Sequence, residues 1–72
     1  MSQITVNAKL LAENVKRRRK VLGLTQEAFA DAVGIDRTYA SQIERAIANP
    51  SLSVLCRISS TLNINIQELF DR

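Results

Sequence analysis

The stretch QEAFADAVGIDRTYASQIER, residues 26–45, decides the fold. Thr25, just ahead of it, is a helix-capping residue type, and Phe29, Ala30 and Val33 recur at the three- and four-residue spacing of one buried helical face. Gly34 follows Val33, where a helix can end in the left-handed turn that glycine adopts without strain. Asp36 is a second cap, and the segment it opens continues to about Arg45. Two short helices therefore meet across Gly34-Ile35-Asp36, with the small Ala30 where they cross closely.

In the second of these helices Ala40 and Ile43 turn inwards, joining Val33 and Ile35. Arg37, Ser41 and Arg45 are left on one outward stripe, with Thr38 and Gln42 beside it, by their four-residue spacing. A merely solvated helix favours Glu, Lys and Ala. The outward side chains here are Arg, Thr, Ser and Gln, all able to donate hydrogen bonds to base edges or phosphates. Arg37, Thr38, Ser41 and Gln42 lie towards the N-terminal end, the end that a recognition helix presents to a major groove. The pattern predicts a reading head for double-stranded DNA.

Further out, the same signals divide the rest of the chain. A first helix is expected from about Asn7 to Leu22, with Ala8, Leu11, Ala12, Val15, Arg19 and Leu22 on one face. Arg19 is out of place on that apolar face. Ser51 caps a fourth segment in which Leu52, Leu55, Ile58 and Leu62 keep helical spacing, and Asn63 is a plausible left-handed end. Asn65 and Glu68 form a capping-box pair ahead of Leu69 and Phe70. Five helical segments and no sustained alternation give an all-α class. Residues 1–6 are expected to be a flexible arm, and residues 7–72 one compact DNA-binding and dimerisation domain.

Composition bounds the function. Seventy-two residues make one domain, which buries only about 60% of the surface its unfolded chain exposes. The net charge of +3 and the run Lys16-Arg17-Arg18-Arg19-Lys20 favour a polyanion mildly. One cysteine, Cys56, and no histidine leave neither an internal disulfide nor a familiar zinc site. Cys56, between Leu55 and Ile58, is expected to be a small core residue. With no cysteine nucleophile and no glycine-rich phosphate loop, an enzyme is not expected. Nor is a metal or other cofactor. No stretch approaches the ~18 apolar residues of a membrane span, and residues 1–7 carry no secretory signal, so a cytoplasmic location is expected. Self-association is the expected source of extra stability. Leu69 should complete the core, while Ile66 and Phe70 offer apolar surface for a two-fold interface.

Residues 9–70 resemble the Cro and phage-repressor (lambda repressor-like) family of helix-turn-helix proteins. The resemblance is carried by LGLTQEAFA, the AVGI turn, Ile43-Glu44-Arg45, NPSL at Asn49 to Leu52, and the terminal QELF. It implies a compact five-helix domain that binds a pseudo-palindromic DNA operator as a homodimer, with no small-molecule ligand. Gln26 would touch phosphate at the start of the second helix. Arg37, Thr38, Ser41 and Gln42 would face the bases, and Arg45 with the loop after it would grip the backbone. Arg19 and Glu44 would pair across the first and third helices. Tyr39 would either pack beside the turn or donate its phenol to a phosphate. Asp36 to Tyr39, with Ser41 and Ile43-Glu44-Arg45, is also similar to the controller proteins of restriction–modification systems. An antitoxin that binds a toxin and regulates its own operon is the alternative. Two departures stand out. The loop reads Ala46-Ile47-Ala48 where the family often has glycine or a basic residue, and Arg18 stands where relatives are often aliphatic.

Overall fold

The computed structural model describes the backbone of residues 3–72 and the side chains of residues 7–72. Four α-helices follow in order, α1 (Gln3–Val21), α2 (Gln26–Val33), α3 (Arg37–Glu44) and α4 (Leu52–Leu62), then a 3₁₀ segment, Ile66–Phe70. Among the described residues there is no strand. The fold is all-α, but the count of five helices is corrected to four and one tight segment. That segment has room for little more than a single turn, and it closes by i→i+3 bonds such as Glu68 N to Asn65 O at 3.0 Å. α1 begins ahead of the expected Asn7; the expected arm, residues 1–6, lies outside the residues whose side chains are described.

Local chemistry explains where the helices start and stop. Thr25 Oγ1 accepts from Ala28 N at 3.0 Å, Asp36 Oδ1 from Tyr39 N at 2.9 Å and Ser51 Oγ from Val54 N at 3.3 Å. Each cap satisfies an amide that the first helical turn would leave unpaired. Gly34 ends α2 at φ 88°, and Asn63 ends α4 at φ 59°.

α2 packs against α3 and α4, and α1 lies along α3 and the terminal segment. Between them Leu11, Val15, Phe29, Ala30, Val33, Ala40, Ile43, Ile58, Leu62 and Leu69 form one core. Cys56 is not part of it: the thiol is exposed. It sits about 200° around α4 from Ile58, so neighbours in sequence point to opposite sides. Leu52, on α4's first turn, is likewise 70% exposed, about 120° away from Ile58. Leu22 follows the last residue of α1 and remains exposed.

Two polar residues on the edge of α1 hold the far end of the chain. Asn14 is 4% exposed. Its amide donates to Leu69 O and to Asp71 O, both at 2.8 Å, and its Oδ1 accepts from Arg17. Arg18 Nε donates to Leu62 O at 3.0 Å, satisfying a carbonyl left open at the end of α4. That bond gives Arg18 a structural task at its unusual position. Leu69 is fully buried between these ties. No helix among the described residues is long and apolar enough to cross a membrane.

Candidate nucleic-acid interface

α3 is amphipathic in the sense that matters for a reading head. Ala40, Ile43 and Glu44 are buried, while Arg37, Thr38 and Arg45 are exposed and Ser41 and Gln42 half-buried. Gln26, the first residue of α2, is brought next to this face because α2 and α3 cross tightly at the Gly34 turn. Gln26, Arg37, Thr38, Ser41 and Arg45 line one shallow, open, mainly polar depression. Its donors, two of them cationic, suit an anionic or base-edge partner. Gln42 and Tyr39 are not among its lining residues. Tyr39 packs against the hydrophobic core.

Beyond Arg45 the chain turns sharply. Ala46 N donates to Ile43 O at 3.1 Å and Ile47 N to Gln42 O at 3.0 Å, the two bonds of a Schellman ending. Ala46 adopts φ 63° there, a left-handed conformation that favours glycine. Ile47 is 63% exposed.

Beneath the depression lies a compact ion pair. Arg19 Nε donates to Glu44 Oε2 at 2.6 Å and Arg19 Nη2 to Glu44 Oε1 at 3.0 Å, a bidentate arrangement. Arg19 Nη1 also donates to Leu24 O at 2.8 Å. The side chains are 12% and 3% exposed. Hydrogen bonding to Glu44 raises the Arg19 guanidinium above its ordinary range, burial opposing and charge attraction assisting. Gln26 Nε2 donates to Glu44 Oε1 at 3.3 Å. That bond was not visible in the sequence, because no spacing rule links residues on different helices.

The residues expected to form a two-fold interface lie on the terminal segment. Ile66 and Phe70 are half-buried and packed against their own core. Phe70 also lines an open, largely apolar cleft of about 150 Å³ with Ala8, Leu11, Pro50 and Leu55. Among the described residues, no group of three acidic or thiol ligands is placed to hold a metal ion.

Known proteins resemble this chain in sequence and in fold. The sequence model of the helix-turn-helix family HTH_3 matches residues 15–69. Control protein C.SmaI of Serratia marcescens is 38% identical over 63 residues, 88% of this chain and 75% of that protein. Control protein C.MunI of Mycoplasma sp is 46% identical over 55 residues, covering 76% and 74% of the two chains. The crystal structure of the restriction-modification controller protein C.AhdI from Aeromonas hydrophila superposes with a TM-score of 0.83 at 32% identity, over 88% of this chain and 96% of that one. The match spans the caps, the Gly34 turn and both helices that build the depression, and the chain belongs to the HTH_3 family of helix-turn-helix transcription regulators.

Proposed function

We propose that the protein reads double-stranded DNA in a sequence-specific way and regulates transcription as a controller-type homodimer on a pseudo-palindromic operator. The observation that carries this reading is the gathering of Gln26, Arg37, Thr38, Ser41 and Arg45 around one open depression on α2 and α3. Arg37, Thr38 and Ser41 face base edges in the major groove, with Gln42 beside them. Gln26 and Arg45 meet phosphates on either side, and the N-terminus of α2 adds its dipole. Tyr39 has its ring on the core, so only its hydroxyl is available to a phosphate. The likeness to C.SmaI, C.MunI and C.AhdI supports a controller role.

A two-fold axis through Ile66 and Phe70 sets two α3 helices on one side of DNA, with half-sites one helical turn, roughly 34 Å, apart. Selection of bound duplexes from a random-sequence library, followed by footprinting, tests the whole reading. An enriched palindrome with that spacing is the expected result. Arg37→Ala then weakens binding to the selected duplex by about 1–3 kcal/mol and relaxes preference at one position of each half-site. Full affinity and unchanged base preference in Arg37→Ala would overturn the assignment of the reading head. Phe70→Asp, followed by analytical ultracentrifugation, tests the interface: a variant that stays dimeric places the axis elsewhere.

A further inference from the structure

We propose that Glu44 is a positioning residue for DNA binding, holding the Gln26 carboxamide in the orientation in which it meets a phosphate. The inference rests on the DNA-binding reading above and adds to it a residue that touches no nucleic acid. Glu44 is buried at the end of α3, yet its Oε1 accepts a hydrogen bond from Gln26 Nε2 at 3.3 Å. A carboxylate only accepts, so the amide must turn its NH₂ group, not its oxygen, towards Glu44. One N–H of that group is then committed inwards. The second stays available on the rim of the depression shared with Arg37, Thr38, Ser41 and Arg45.

An untethered surface glutamine loses substantial rotamer freedom when a ligand orders it. Here part of that ordering precedes binding. The tether is itself stiff, because Glu44 is gripped at both oxygens by Arg19, at 2.6 and 3.0 Å, and Arg19 is fixed in turn on Leu24 O at 2.8 Å. The relay runs from α1 through the end of α3 to the first residue of α2. Its charges are balanced: Arg19 offsets the carboxylate, so an acidic group can stand behind a phosphate site without repelling the phosphate.

The test uses full-length protein and a duplex that the wild type enriches from a random-sequence pool. Arg19→Met/Glu44→Met removes the relay without leaving either charge buried alone. It is compared with Gln26→Ala and with the triple variant, at several salt concentrations and after thermal melting has shown each to be folded. The double variant should lose roughly 3- to 10-fold in affinity, the cost of ordering one rotamer-rich side chain on binding. Gln26→Ala should lose at least as much, and the triple variant no more than Gln26→Ala alone. The dependence of log affinity on log salt should keep its slope, since no phosphate-neutralising cation is lost. Multiplying losses in the triple variant, or wild-type affinity in the double, would overturn the proposal. So would a reduced salt slope in the double variant, which would make Arg19 itself a phosphate contact.

A measurement on unmodified protein guards against a double variant that does not fold. ¹⁵N relaxation should show the Gln26 side-chain amide as rigid as the α2 backbone, and a freely rotating amide overturns the tether. A wild type that enriches no sequence sinks the DNA-binding reading and the proposal with it. Enrichment with multiplying losses sinks the proposal alone.

Discussion

α2 and α3 both end on a left-handed residue closed by the same six-residue hydrogen bond, built from different residues. After α2, Gly34 takes the left-handed position at φ 88°, and Ile35 N reaches back to Ala30 O at 3.0 Å. After α3, Ala46 takes it at φ 63°, and Ile47 N reaches back to Gln42 O at 3.0 Å. The side chains that follow diverge. Ile35 packs against the core, whereas Ile47 is left largely in solvent. The first turn thus joins suitable backbone, closed hydrogen bonds and apolar contact. The second has the hydrogen bonds alone, with a strained alanine and an unpacked isoleucine. Backbone hydrogen bonding can impose a helix ending that the residue at the turn does not favour, provided something else holds the helix in place. At α3 that role falls to Glu44, buried two residues before Ala46 in the grip of Arg19.

The largest effect should come from removing that grip. Arg19→Met strands the Glu44 carboxylate in the interior and should lower stability by about 3–5 kcal/mol in urea unfolding. An unchanged midpoint would mean that the end of α3 is held by its hydrogen bonds after all. Gly34→Ala comes next. An added Cβ would lie 3.3 Å from Arg57 Nη1, the far end of a flexible side chain, so the loss should come from the left-handed backbone rather than from a clash. A loss of about 1–2 kcal/mol is expected. The smallest effect has the opposite sign. Ala46→Gly should stabilise by up to about 1 kcal/mol, strain relief exceeding the greater unfolded-state entropy of glycine. A destabilised Ala46→Gly would remove the contrast between the two turns.

These two turns also mark what the sequence made legible. Thr25, Asp36 and Ser51 are caps by their own side-chain chemistry, and Gly34 and Asn63 are left-handed by their tolerance of positive φ, so each was readable within a few residues. Ala46 carries no such sign, and its conformation follows from bonds to Ile43 and Gln42. The outward stripe of α3 was legible because helical spacing separates it from Ala40 and Ile43. Periodicity did not reveal what polar residues at the edge of a face would meet. Asn14 looked unremarkable until the chain returned with Leu69 and Asp71, and Arg18 until Leu62 came beside it. Cys56 has apolar neighbours along the chain but points away from Ile58 around the helix, and so lies outside the core. The final segment kept its expected capping bond, from Asn65 N to Glu68 Oε1 at 3.0 Å. Capping chemistry alone, however, does not distinguish a 3₁₀ turn from an α-helix.

The outward-facing thiol on α4 has a practical consequence. The chain has one cysteine, and it is exposed. A nitroxide or fluorophore can therefore be attached at a single native position, on a different helix from the proposed reading face. In the proposed two-fold dimer two such labels would stand at one fixed separation, so dipolar spectroscopy would give a single sharp distance for a symmetric pair and none for isolated chains. Adding duplex DNA to the labelled protein would then report whether the pair changes its spacing on binding, with every natural side chain of α3 left in place. The molecule supplies its own ruler.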